Sequence, residues 1–322
     1  MRKYFIVGGA GFIGSQVAES ISKEEADSLI TIYDNFSSGK KWHLDNVKDK
    51  ERLRIIKGDV KNKNRLIRAM KGSDIVYHFA ANPDIAKAVT YPEVDFWEGT
   101  YLVNNMIEAM RVNGIKKLIY ASGSGIYGDA GEVELDEEYP VKAPISTYGA
   151  SKLGCEALIS AYCHMFGMTG ICFRFANVVG PRQTHGVGYD FVRKLLKDPR
   201  ELGILGDGNQ SKSYIYVTDI INAMRLLEKS GKEGYQYYNV ATQDYITVKE
   251  IADIVLNVMG ITGTKYNFTG EDRGWKGDVP VVRFNTDKIR ALGWTNKCTS
   301  KEAITRSIES IYNDVKLKRI RY

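Results

Sequence analysis

The run Lys3-Tyr-Phe-Ile-Val7, followed at once by Gly8-Gly-Ala-Gly11-Phe-Ile-Gly14, decides how the rest of the chain is read. A short apolar stretch of β-formers predicts a strand, and the glycines after it predict a tight turn into a helix. A side chain at Gly11 would hold the backbone away from a pyrophosphate, while Gly14 lets helix and strand pack closely. Phe12 and Ile13 open the helix, whose first N–H groups face any anion held there. Glycine triplets are common; the strand before this one and the amphipathic helix after it (12–21) make it a phosphate cradle.

Outward from that turn, strand and helix patterns alternate. Strands are predicted over 4–7, 29–33, 53–57, 75–78, 117–121 and 170–173, and helices over 12–21, 66–70, 95–112 and 148–166. Repeated strand–helix units imply an α/β fold, a Rossmann-type doubly wound parallel sheet with ligands at the carboxyl ends of its strands. After residue 173 the pattern becomes looser. Two capping boxes, Thr247-Val-Lys-Glu250 and Thr299-Ser-Lys-Glu302, open helices there. The expected division is a dinucleotide-binding domain over 1–173 and a smaller mixed α/β substrate lobe over 174–322, with some segments crossing back to the sheet.

Asp34 ends the second predicted strand, placed to accept hydrogen bonds from both ribose hydroxyls of a dinucleotide. A carboxylate there repels a 2′-phosphate, which favours NAD over NADP, although Lys40 and Lys41 soften the preference. Asp59, in Gly58-Asp-Val60, follows the third strand within reach of an adenine amino group. Phe79-Ala-Ala81 offers small residues for a cofactor to lie against.

Much later, Tyr148-Gly-Ala-Ser-Lys152 puts a phenol and an ammonium at i and i+4, on one helix face. A free phenol ionises near pH 10 and is a poor base at neutrality. An ammonium ~4 Å away, at an effective dielectric near 20, contributes ~4 kcal/mol toward ionising it. Tyr–Lys pairs at this spacing are common on helix surfaces. Combined with the glycine turn, this one points to hydride transfer on an alcohol carbon.

Composition narrows the class. The chain has 322 residues, of which 43% are hydrophobic and 26% charged, as in ordinary globular proteins and unlike disordered or membrane chains. Its net charge of +6 is spread out, apart from the basic run Lys316-Leu-Lys-Arg-Ile-Arg321, read as a solvated terminus with no nucleic-acid or membrane partner. Cys155, Cys163, Cys172 and Cys298 show no metal or redox spacing and read as reduced, buried thiols; no metal is expected. Residues 1–8 read as a strand and no signal peptide, and no apolar run reaches the ~18 residues of a membrane span. The expected location is cytoplasmic.

These pieces resemble the extended short-chain dehydrogenase/reductase family, in its NAD-dependent sugar-nucleotide epimerase/dehydratase branch. The resemblance rests on Gly8–Gly14, Asp34-Asn-Phe-Ser-Ser-Gly39, Gly58-Asp-Val60, His78-Phe-Ala-Ala-Asn-Pro-Asp84, Ile126-Tyr-Gly-Asp129 and Tyr148–Lys152. Further on it includes Asn177-Val-Val-Gly-Pro-Arg182 and Gly206-Asp-Gly-Asn-Gln-Ser-Lys-Ser-Tyr-Ile-Tyr-Val-Thr-Asp219. Arg273-Gly-Trp-Lys-Gly-Asp278 makes it nearest to the archaeal kind of UDP-galactose (UDP-glucose) 4-epimerase.

The resemblance implies that Asp34, Asn35, Phe36, Ser37, Ser38, Gly39, Asp59, Val60 and Phe79–Ala81 line NAD. It implies that Tyr148 takes the proton of a sugar C4 hydroxyl while Lys152 holds the nicotinamide ribose. A UDP-sugar would meet Asn177, Lys212 and Arg273 at its diphosphate, Asp278 at its ribose and Val282 beside the sugar C2 group. A homodimer through helices 95–112 and 148–166 is implied as well. Two positions depart from the pattern. Gly123 stands where relatives carry a Ser or Thr that bonds the reacting hydroxyl, leaving Ser124 and, less directly, Ser122 as substitutes. Phe96 stands where relatives often have Asn. The absence of a carboxylate at 123–125 argues against 4,6-dehydration, which needs further acid/base groups. A net sugar-nucleotide oxidoreductase and a weakly active NAD-binding relative remain as alternatives.

Overall fold

The computed structural model describes residues 1–82, 84–141 and 143–320; Pro83 of the 78–84 motif and Arg321 of the basic run lie outside the described residues. Strands β1 (Lys3–Val7), β2 (Leu29–Asp34), β3 (Leu53–Lys57), β4 (Ile75–His78), β5 (Lys117–Ala121), β6 (Thr169–Phe175) and β7 (Tyr235–Val240) form one sheet. Its order is β7-β6-β5-β4-β1-β2-β3. Neighbours from β3 through β6 pair in parallel. The order reverses between β1 and β4, so their carboxyl ends form the crevice where such sheets bind ligands.

Helices α1 (Phe12–Glu24), α2 (Lys63–Met70), α3 (Tyr101–Val112) and α4 (Thr147–Phe166) connect these strands. Phe5, Val7, Val76 and Leu118 of the sheet pack with Leu102, Met106 and Met110 of α3 and with Cys155 and Ile159 of α4. Each such side chain, fully buried, contributes ~1.5–3 kcal/mol. That packing makes the strand ends a rigid platform.

Two features escaped the periodicity argument. The predicted helix 95–112 starts with a π-turn, Phe96–Thr100, before α3 proper. The edge strand β7 comes from Tyr-Gln-Tyr-Tyr-Asn-Val, whose burial does not alternate. It is seated by Gly170 N–H to Gly234 O at 3.1 Å and Ala176 N–H to Val240 O at 3.0 Å, bonds no local pattern announces.

The chain divides into two compact units. The first comprises Met1–Ile126, Thr147–Arg174 and Ile221–Tyr238; the second comprises Tyr127–Ser146, Phe175–Ile220 and the residues from Asn239 onward. Against the expected ranges 1–173 and 174–322, with some segments crossing back to the sheet, 221–238 fall in the first unit and 127–146 in the second. In the second unit, helices Val187–Lys197, Val248–Met259 and Ser300–Lys316 pack through Val192, Leu195, Ile251, Val255, Ile304 and Ile308. Both capping boxes form: Thr247 Oγ1 accepts from Glu250 N–H and Thr299 Oγ1 from Glu302 N–H, each at 3.2 Å. Among the described residues no helix is long and apolar enough to cross a membrane.

Candidate active site

The turn after β1 is closed by contact. Gly8 has φ +72°, and a Cβ there would stand 2.7 Å from the Ala80 backbone nitrogen. A Cβ on Gly14 would stand 2.8 Å from Gly9 Cα and nearer still to the Gly8 carbonyl oxygen. Gly11 differs, because a Cβ there would meet only Gly8 O, at 3.2 Å, so its outer side is open. At Gly11, the N-cap of α1, no side chain caps the helix, and the first turn, Phe12 to Gly14, holds no acid. An uncapped, acid-free helix start behind an open glycine fits a dinucleotide pyrophosphate.

Asp34 is buried at the end of β2, its Oδ2 accepting from Ala10 N–H at 2.9 Å and its Oδ1 from Phe36 N–H at 2.7 Å. Burial raises its pKa, and the two N–H bonds oppose that. Each oxygen keeps a lone pair, one per ribose hydroxyl. The loop that follows folds back on the glycine turn. Ser37 N–H bonds Asn35 Oδ1 at 2.9 Å, Phe36 takes φ +62°, and a Cβ on Gly39 would press on Ala10 at 2.9 Å. Ser38 is half-buried there. Asp59, expected at the adenine, accepts from Lys61 N–H with Oδ1 at 2.8 Å and from Asn35 Nδ2 with Oδ2 at 3.4 Å, bracing this loop against the third strand. Val60 is buried beside it, and Phe79, Ala80 and Ala81 are half-buried at the end of β4. The residues present fit NAD.

The catalytic candidates lie one strand along. Lys152 is only 7% exposed. Its ammonium donates to the Ala121 carbonyl at 2.7 Å and stands 5.0 Å from the Tyr120 ring centre and 5.5 Å from that of Tyr148. A carbonyl and two aromatic faces thus hold one cation in place beside the phenol. At Gly123 a Cβ would meet a single atom within 4 Å, the Tyr148 hydroxyl at 4.0 Å, so this position faces the phenol directly.

Ser122 does not take part there. Strand alternation turns it the other way, and its hydroxyl donates to Glu156 Oε1 at 2.5 Å inside the core. Glu156, buried one turn beyond Lys152 on α4, also pairs with Arg174 at 2.9 Å and accepts from Tyr235 at 2.8 Å. Sequence reasoning missed this group, since its members come from four distant segments. Ser124 opens the turn Ser124–Tyr127, half-buried, and among the described residues its hydroxyl has no hydrogen-bond partner. Phe96 points outward, 50% exposed, and Trp97 beside it is 44% exposed. His78, at the end of β4, is fully buried, stacked on Tyr120, and neither ring nitrogen has a hydrogen-bond partner among the described residues. Burial, with the Lys152 charge nearby, lowers its pKa to about 3.

The second unit gathers the other candidates. Lys212 Nζ pairs with Asp278 Oδ1 at 2.7 Å, and Gly274 N–H donates to Oδ2 at 3.2 Å. Arg273 donates to the Asp278 carbonyl and to Asp129 Oδ2, both at 2.6 Å. Asp278 therefore ties the 273–278 turn together, and both its oxygens are engaged. The Arg273 guanidinium holds the Asp129 carboxyl below the usual range. Asp129 was legible only as the last residue of Ile126-Tyr-Gly-Asp129; its partner lies far along the chain. Asn177 is exposed at the start of a short strand, Asn177–Val179, paired with Tyr214–Tyr216, while Val282 is buried.

This geometry agrees with what the chain is similar to. A family model described as the NAD dependent epimerase/dehydratase family matches residues 4–241. A Methanocaldococcus jannaschii protein that carries the provisional name UDP-glucose 4-epimerase is 30% identical, covering 96% of this chain and 98% of its own. The dTDP-D-glucose 4,6-dehydratase of Mus musculus is 28% identical over 96% of this chain and 88% of its own. A UDP-galactose 4-epimerase crystal structure superposes with a TM-score of 0.87 at 33% identity, covering 97% of this chain and 99% of that one. The Thermus thermophilus UDP-glucose 4-epimerase, solved with NAD, gives 0.84 at 29% identity, covering 96% and 99%. With a glycine turn, an acid at the second strand end and a Tyr–Lys helix all in place, the chain belongs to the NAD dependent epimerase/dehydratase family.

Proposed function

We propose that this chain interconverts the C4 epimers of a UDP-hexose, glucose and galactose forms first. The observation that carries the reading is the buried Lys152 ammonium, set beside Tyr148 on α4 and bonded to Ala121 O at the end of β5, in the sheet whose β1 leads into the glycine cradle. Bound NAD supplies the acceptor and donor for the hydrogen removed from the sugar carbon. Tyr148 takes the C4 hydroxyl proton and later returns one; Lys152 stabilises the charge that this leaves on the phenol oxygen. Gly11, in the turn that Gly8 and Gly14 close, lets the cofactor phosphates approach the start of α1, and Asp34 holds the cofactor ribose. The second unit takes the sugar nucleotide, with Asn177, Lys212 and Arg273 facing its phosphates.

No carboxylate sits at Gly123, Ser124 or Gly125, which supports epimerisation over dehydration. Incubation with UDP-glucose, UDP-galactose and their N-acetyl forms, followed by NMR of the C4 proton, tests the assignment. Interconversion that vanishes in Tyr148→Phe sustains it. Stoichiometric NADH with no epimer would replace it by a net oxidoreductase. Val282, smaller than a tyrosine, leaves room beside the sugar C2 group, so the N-acetyl sugars are expected as substrates. Val282→Tyr is expected to lower kcat/KM for the N-acetyl sugars ~10–100-fold relative to UDP-glucose. A homodimer through α3 and α4 is part of this proposal, and sedimentation equilibrium tests it.

A further inference from the structure

Asp95 is a buried carboxylate, 2% exposed, immediately before the π-turn Phe96–Thr100. No cation pairs with it among the described residues. Its Oδ1 accepts from Asn82 Nδ2 at 2.9 Å and its Oδ2 from Thr147 Oγ1 at 2.7 Å. Its backbone carbonyl accepts from Ser151 Oγ at 2.7 Å. Keeping an ionisable acid from water on neutral donors alone is expensive, and an apolar side chain would fill the space at less cost. The three donors show what the group holds together.

Thr147 and Ser151 are the residues just before Tyr148 and Lys152, one turn apart on α4. Asn82 belongs to the loop after β4, which also carries Phe79–Ala81. Bonds to residues 147 and 151 fix the rotation of α4 about its axis. The phenol oxygen stands well out from that axis, so a rotation of ~10° displaces it by ~1 Å. The π-turn adds to the grip: Thr100 Oγ1 lies 3.0 Å from Ser151 Oγ, and Gly99 packs so closely on Ser151 that no side chain fits between them. π-turns are rare and concentrate at functional sites. This one turns Phe96 and Trp97 outward and leaves Asp95 facing in.

We infer that Asp95 is a positioning residue for the Tyr148–Lys152 pair, clamping both flanking residues of α4 to the cofactor-side loop at Asn82. The inference rests on the reading above that Tyr148 and Lys152 carry the chemistry. Misplacing a reacting group by ~1 Å costs on the order of 10²-fold in rate. Asp95→Ala is therefore expected to lower kcat ~100-fold with KM for the sugar nucleotide within about threefold. Asp95→Asn is expected to recover most of the rate: its oxygen serves Asn82, and its amide donates to Thr147, whose hydroxyl accepts as readily as it donates. Thr147→Val, which removes one bond at constant volume, is expected to cost about tenfold.

Amide hydrogen exchange of the full-length variants supplies a readout independent of turnover. In Asp95→Ala, residues 147–152 should exchange faster while the β1, β4 and β5 amides do not change. A kcat within twofold of wild type, an equal loss in the Ala and Asn variants, or unchanged exchange at 147–152 overturns the assignment. Should Asp95→Ala not fold, Thr147→Val decides: a rate and exchange pattern matching wild type overturn the clamp. If the wild-type chain converts no UDP-hexose, the proposed reaction fails, and the exchange comparison still decides whether Asp95 holds the start of α4.

Discussion

Two glycine turns, one after β1 and one after β5, stand on the same sheet, and Gly14 in the first and Gly123 in the second are glycine for opposite reasons. After β1, Gly8 and Gly14 have no choice. A Cβ on Gly14 runs into the backbone of Gly8 and Gly9, and one on Gly8 into the backbone of Ala80. After β5 a Cβ on Gly123 meets only the Tyr148 hydroxyl, at 4.0 Å. Gly8 and Gly14 are demanded by packing, whereas Gly123 is an open place in front of the phenol. The same residue type therefore marks a constraint in one turn and a missing group in the other.

The sharpest break of that comparison is Gly14→Ala. Its methyl would press on main chain that cannot yield, so unfolding free energy should drop by about 3 kcal/mol and NADH affinity ~100-fold. Denaturant melts and NADH fluorescence titration measure both. A variant as stable as wild type would remove the steric account of the first turn.

Between the two turns runs β4, ending in His78. Its folded pKa of about 3 lies below the ordinary 6.5. Between those values the unfolded chain binds the proton and the folded chain does not, so stability falls as pH drops from 6.5 toward 3. At ~1.4 kcal/mol per unit, this costs about 2 kcal/mol by pH 5. Urea melts at pH 7 and pH 5 should show a shallower decline in His78→Phe than in wild type. Equal slopes would mean the imidazole gains a proton inside the fold.

The smallest effect belongs to the second turn. Gly123→Ser puts a hydroxyl beside Tyr148 and is expected to raise epimerase turnover several-fold, since a donor aimed at developing charge can contribute up to ~10²–10³ in rate. Gly123→Ala supplies the methylene alone and should leave turnover where it is. If the two behave alike, steric filling and not hydrogen bonding governs that position.

Much of the first unit was legible because its signals are local. A strand, a glycine turn and an amphipathic helix each announce themselves within about a dozen residues, as do the capping boxes at Thr247 and Thr299. The phenol and ammonium share a face by helical spacing alone. Ser122 shows where such reading stops. Alternation gives its side, yet nothing near it indicates that Glu156, Arg174 and Tyr235 wait there. Asp278 is similar: nothing near it in the chain indicates that Lys212 meets one of its oxygens. Asp95 carried no motif, and the π-turn that turns it inward breaks the very periodicity used to find helices.

The amino-acid order alone settled the α/β alternation, the glycine turn into α1, the acid at the end of β2 and the Tyr148–Lys152 spacing, because each depends on backbone geometry over a few neighbouring residues. Only the folded chain decided which partners each carboxylate meets, which glycines are compelled, and that β7 completes the sheet. Those outcomes depend on groups far apart in sequence, whose meeting is set by the packing of the whole core and has no local signature.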